Sequence, residues 1–159
     1  MEKYFELKIP SDPKMMRLVR KNVSLACEMV GFSEREVNAV TLAVDEGCTN
    51  IIRHCYGEKN QGVIIVRLRL YKDKIIIVLK DFGGKMDLEE LERCRKRTQH
   101  ALEKRGPVRP GGLGVLLMHS VMDKVQYKTS PKSGSVLRLT KYLSHPKEAE
   151  VAGSGSSAR

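Results

Sequence analysis

The chain has 159 residues, 41% of them hydrophobic, and carries a formal net charge of +10. That composition excludes a generally disordered or fibrous chain and is enough for one domain with a real core. Its longest apolar runs, such as Ile75–Leu79 and Val115–Met118, fall far short of the ~20 residues that cross a bilayer, so no membrane span is expected. The positive charge admits nucleic acid, an acidic membrane or an acidic protein as partner without choosing among them. Tyr4, Phe5 and Tyr71 stand among basic residues, but in alternating strand patterns and without a nucleic-acid signature, so direct nucleic-acid binding is not expected.

Met1 opens a charged, alternating segment rather than a signal peptide. Cys27, Cys48, Cys55 and Cys94 lack metal-ligand spacing, and three of them fall on or near apolar helix faces, the pattern of buried free thiols in a reducing cytoplasm. Residues 2–9 alternate as an opening strand with Phe5, Leu7 and Ile9 on one side. Ser11 and Pro13 mark a helix start, and Met16, Val19, Val23, Ala26 and Val30 supply its buried face up to Gly31. Ser33 with Glu36 has capping-box spacing and opens a helix expected to run to Tyr56.

That helix carries two faces. Val37, Val40, Val44, Cys48, Ile51 and Cys55 form an apolar stripe, while Glu46 and Asn50 project together roughly opposite it. Ala43 and Gly47 beside them read as space for a ligand to approach. A carboxylate, a carboxamide and a glycine in a helix interior forgo propensity for no folding gain, which marks a functional position.

Residues 63–70 and 75–80 follow as strands joined too closely for anything but an antiparallel hairpin. Asp81-Phe82-Gly83-Gly84 lies at the second strand's end, where an acid beside glycines serves a turn or a site. Residues 88–104 read as a charged surface helix or a partly mobile segment. Residues 105–114 are rich in glycine and proline and run into Val115–Met118, either a flexible connector or a glycine-rich anion-binding turn entering a helix. Asp123 closes that helix, and residues 125–129 and 135–140 give two more strands. The expected fold is α+β, a two-layer α/β sandwich with a mostly antiparallel sheet covered on one face by three main helices. The domain spans residues 1–143, and residues 144–159, rich in glycine and serine, read as a disordered tail.

Three patches recur in order: Glu46 and Asn50 on a helix, Asp81-x-Gly83 after a strand, and Gly111-Gly112-Leu113-Gly114 before another helix. This order resembles the histidine-kinase-like ATPase superfamily, specifically its small bacterial anti-sigma-factor and serine-protein-kinase branch. The resemblance is carried by Ala43-Val44-Asp45-Glu46-Gly47-Cys48-Thr49-Asn50 and by residues 111–123, from Gly111 to Asp123. It implies ATP and Mg²⁺ as cofactors, with Asn50 on the metal and Glu46 orienting or deprotonating the attacking hydroxyl. Asp81 and Gly83 would receive adenine, with Ser135 close by, while Gly112, Leu113 and Gly114 would line the phosphate side; by charge alone, Arg105 and Arg109 can close over the phosphates. Arg105 and Arg109 are equally consistent with solvent-facing roles, and His54 is expected to support the site rather than react.

The residue chemistry agrees independently. A carboxamide oxygen suits Mg²⁺, a carboxylate can position a hydroxyl, and glycine N–H groups meet phosphate unobstructed. The resemblance implies a cytoplasmic serine/threonine kinase acting on an anti-anti-sigma-type regulator, also able to hold a sigma factor, and a homodimer through the first strand and helix. Lys85 stands where the family usually has a second glycine. The alternative is therefore an ATP-binding regulatory module without phosphotransfer.

Overall fold

The computed structural model describes residues 2–56, 62–83, 87–107, 112–130 and 132–144. Among these residues five strands, β1 (Lys3–Pro10), β2 (Val63–Leu70), β3 (Lys74–Asp81), β4 (Lys124–Ser130) and β5 (Gly134–Tyr142), form a sheet of order β1-β2-β3-β5-β4. Every pairing is antiparallel. Strict alternation in β2 and β3 sends Ile64, Val66, Leu68, Ile75, Ile77 and Leu79 to one side, where all are buried. Helices α1 (Met16–Val30), α2 (Glu34–Ile51) and α4 (Leu113–Val121) cover that side, while α3 (Leu88–Glu103) rests on α4. The architecture is the expected two-layer α+β sandwich.

Local sequence explains the elements. Ser33 and Glu36 complete the capping box of α2, and the Ser33 backbone N–H holds the Glu36 carboxyl below its ordinary range. Asp87 caps α3 through Glu90 N–H at 2.9 Å, so the charged segment is a formed helix. Gly31 ends α1 with φ 106°, a left-handed position that favours glycine.

Several expectations need correction. Asp12, not Ser11, caps a 3₁₀ turn at Pro13–Met15 that precedes α1. Ser11 is fully buried, and its hydroxyl accepts from Gly62 N–H at 3.0 Å, tying the end of β1 to the entrance of β2. The α-helical path of α2 stops at Ile51 and continues as a π-helical turn, Ile52–Tyr56. Asp123 lies beyond the end of α4 and accepts from Tyr142 N–H at 2.7 Å. Ser144, placed in the tail by composition, donates to Glu36 at 2.8 Å. The remainder of that expected tail lies outside the described residues.

Candidate functional site

Glu46 and Asn50, one turn apart on α2, face a cavity of about 670 Å³ whose other wall is α4. Leu113, Gly114, Leu116, Leu117 and Ser120 line the α4 side, and Arg53 from the π-helical turn stands at the end nearest Asn50. Asn50 is 5% exposed, and its Nδ2 has no hydrogen-bond partner among the described residues. A buried amide group left unsatisfied costs about 1–3 kcal/mol, so its persistence beside a cavity points to a ligand. Gly114 lies hard against the Glu46 carboxylate: a Cβ there would overlap Glu46 Oε2. The first turn of α4 therefore presses directly on the carboxylate.

A second cluster sits at the C-terminal end of β3. Asp81 is fully buried, its Oδ1 accepting from Gly83 N–H at 3.1 Å while Oδ2 has no partner among the described residues. Burial raises the Asp81 pKa above its ordinary 3.8, against the opposing pull of Gly83 N–H, the Cys55 thiol and Ser135. Gly83 lies against the Cys55 carbonyl, where a Cβ would come within 2.6 Å. Gly134, with φ 76°, starts β5 so close to the Asp81 carbonyl that any side chain would overlap it. Ser135 is buried next to it, its hydroxyl 3.3 Å from that of Thr129.

Tyr56 locks this cluster to α2. Its hydroxyl donates to the Val63 carbonyl and accepts from Phe82 N–H, both at 2.8 Å. The π-helical turn brings Cys55 and Tyr56 to the end of β3, since it accommodates an extra residue relative to α-helix. Cys55, assigned to the apolar stripe by periodicity, is half-buried with its thiol pushed up to about 12 by burial and the Asp81 charge.

The residues singled out in the sequence thus fall into distinct places. Glu46, Asn50, Leu113 and Gly114 share one cavity; Asp81, Gly83 and Ser135 gather at the strand end. Gly112 turns away from the cavity to α3, where a Cβ would overlap Thr98 Oγ1 and come within 2.6 Å of the Cys94 carbonyl. Arg109, Gly84, Lys85 and Gly111 lie outside the described residues. Gly47 does not open space for a ligand: a Cβ there would stand 2.9 Å from Leu79 and 3.0 Å from Leu137, so this glycine lets α2 sit close on the sheet. Residues missed in the sequence are Arg53, Cys55 and Tyr56. Arg53 was detectable by its three-residue spacing from Asn50; Tyr56 was hidden by the change of helical pitch.

A buried, half-satisfied aspartate at a strand end, and a carboxylate–carboxamide pair on a helix that faces a glycine-led helix, make this a candidate nucleotide-binding domain. The profile of the histidine kinase-like ATPase domain matches residues 9–141, and the chain belongs to that family. Within it the chain is similar to proteins named serine-protein kinase RsbW. The Bacillus velezensis protein is 30% identical over 142 residues, covering 88% of this chain and 86% of the relative. Those of Bacillus pumilus (31% over 142 residues, 87% and 85%) and Staphylococcus aureus (31% over 156 residues, 97% and 94%) match in the same way. The chain therefore stands in the ATP-dependent serine-kinase branch of its family.

Proposed function

We propose that the chain transfers the γ-phosphoryl group of ATP to a serine or threonine hydroxyl of an anti-anti-sigma-type regulator. The observation that carries the reading is the placement of Glu46 and Asn50 on one wall of a cavity whose opposite wall begins at Leu113 and Gly114. In this reading the Glu46 carboxylate takes the hydroxyl proton as the new O–P bond forms and the bond to the β-phosphate oxygen breaks, releasing ADP. Asp81 Oδ2, buried and without a partner, accepts from the adenine amino group, and Gly83 lets the ring approach. Arg53 and the Gly114 N–H face the phosphates, and Arg109, by its charge, is assigned to them as well.

Asn50 fits a Mg²⁺ ligand. Its amide is buried at the cavity with an unsatisfied atom, and an amide's oxygen and nitrogen ends interchange by a simple flip. Among the described residues no cluster of three or more His, Cys, Asp or Glu side chains could hold a metal. A single carboxamide suits Mg²⁺, which takes few protein ligands when substrate phosphates and water complete its shell. The ion would neutralise phosphate charge during transfer.

The same reading includes a cytoplasmic location and a sigma factor held on another surface. It also includes a homodimer through β1 and α1, supported by the exposed Phe5, Leu25 and Met29 beside the outer edge of β1, which pairs with no strand among the described residues. The test incubates the full chain with Mg²⁺ and γ-labelled ATP plus the anti-anti-sigma-type protein of the same organism. Label on a regulator serine or threonine, reduced at least about 100-fold by Glu46→Ala, is the expected result. ATP binding with no label would leave a nucleotide-controlled interaction module instead.

A further inference from the structure

We propose that the open face of the sheet, opposite the helices, is a docking surface for an acidic protein segment bearing an aliphatic side chain. The strand register sets this face. Across the middle strands it pairs Arg67 with Val78, Val78 with Arg138, and Arg138 with Gln126, so one row crosses β2, β3, β5 and β4. Adjacent rows add Arg69 beside Ile76, and Lys80 beside Val136, which in turn pairs with Lys128. The result is a concavity of about 280 Å³ with walls of Arg67, Arg69, Lys128 and Arg138 and a floor of Val78 and Val136.

The charge on this face is one-sided. At its paired strand positions Glu6 is the lone acid among the described residues, with Glu2 just ahead of β1. These two acids sit at the β1 edge, where Glu6 pairs with Arg67 at 2.6 Å and Glu2 lies 3.8 Å from Arg69. Lys80, Lys128 and Arg138 have no ion-pair partner among the described residues. Arg69 Nε is buried without a hydrogen-bond partner among the described residues. Much of the chain's excess positive charge is therefore concentrated on one flat surface instead of being spread for solubility.

Charge complementarity requires an anionic occupant, and the floor selects the kind. Successive bases of a nucleic acid stack on accessible aromatic rings, whereas the centre here is aliphatic. The rings stand only at its borders: exposed Tyr4, whose hydroxyl donates to Glu6, lies on the edge strand β1, and Tyr142 is flanked by the ammonium groups of Lys74 and Lys124 at 5.5 and 5.8 Å. Arg67 already demonstrates carboxylate pairing on this face. Carboxylates on the arginines with a branched aliphatic side chain between them fill both parts of the concavity. Because the Glu46 cavity opens on the helical layer, the segment docks without blocking it. The proposal does not depend on kinase activity.

The test titrates the ¹⁵N-labelled full chain, at near-physiological salt, with a synthetic peptide of alternating glutamate and leucine, with poly-glutamate, and with an oligothymidylate. The peptide is expected to shift the amide resonances of Arg67, Val78, Lys128, Val136 and Arg138, leave α2 and α4 unmoved, and bind more tightly than either other probe. Lys128→Glu with Arg138→Glu should weaken peptide binding at least about tenfold, equivalent to about 1.4 kcal/mol. Lys128→Gln with Arg138→Gln, which only removes charge, should give a smaller loss and serves if the reversal disturbs folding. Absent or scattered shifts overturn the proposal, as does tighter binding of the oligothymidylate. Equal binding of poly-glutamate overturns the role of the aliphatic floor.

Discussion

Replacing Gly114 by alanine separates a site glycine from a structural one. The residue does not occupy a left-handed backbone position, so alanine fits the local φ and ψ. In the first turn of α4 the substitution gains up to about 1 kcal/mol of helix propensity. The new Cβ overlaps Glu46 Oε2, the far end of a flexible side chain, which can move at an off-rotamer cost of about 0.5–1.5 kcal/mol. The two terms nearly cancel, so Gly114→Ala should unfold within about 1 kcal/mol of the native chain, a shift of roughly 2–4 °C or less in Tm. With Glu46 in the catalytic role proposed above, phosphoryl transfer responds differently: displacing a positioned catalytic group by about 1 Å costs on the order of 100-fold. Single-turnover labelling of the regulator should fall by about that factor, and Glu46→Ala should make the alanine variant little worse. An unchanged rate on an intact fold would refute the placement of the nucleophile-orienting carboxylate. A loss of stability well beyond about 2 kcal/mol would show that the glycine serves packing instead.

Tyr56→Phe removes the hydroxyl that joins Val63 O to Phe82 N–H, and should cost about 1–3 kcal/mol in urea unfolding. A cost near zero would mean the tyrosine does not latch the end of β3. Asp81 has a folded pKa raised above its ordinary 3.8 by burial, so the native state holds this proton more tightly than the unfolded chain. Its contribution to stability is therefore lost as pH rises from 3.8 through the folded value. The wild-type-minus-Asp81→Asn difference in unfolding free energy should fall across that window; a difference that grows would refute burial as the dominant cause. Cys27, Cys48 and Cys55 have thiols pushed up to about 12 by burial, and Cys27 and Cys48 are fully enclosed. Iodoacetamide at mildly alkaline pH should label Cys94 first and these three slowly, as followed by mass spectrometry. Labelling of Cys48 at its denatured rate would refute the enclosed thiol.

Elements governed by local chemistry were readable in the sequence. The capping box at Ser33 and Glu36, the alternation in β2 and β3, and the apolar stripe of α2 each leave a short-range pattern that tertiary packing reinforces. Glu46 and Asn50 stood out because their types conflict with a buried helix. Features set by close approach were less visible. Gly47 looks the same in sequence whether its missing side chain admits a ligand or the sheet, and only Leu79 and Leu137 decide that it is the sheet. Gly112 and Gly114 are two residues apart, yet one abuts Thr98 and the other Glu46. The π-helical turn left no periodic trace, so the approach of Tyr56 to Phe82 was hidden. Ser11 carried a helix-start signal but is used across β1 and β2, a non-local pairing that capping rules do not address.

In the proposed function the α2 cavity and the buried Asp81 are two ends of one ATP site. Calorimetric titration of the full chain with ATP, with and without Mg²⁺, tests it most directly when repeated on Asn50→Ala and Asp81→Asn. The account predicts binding that Mg²⁺ strengthens, a loss of that strengthening in Asn50→Ala, and weakened ATP binding in Asp81→Asn whether or not Mg²⁺ is present. ATP binding that neither substitution alters would contradict it.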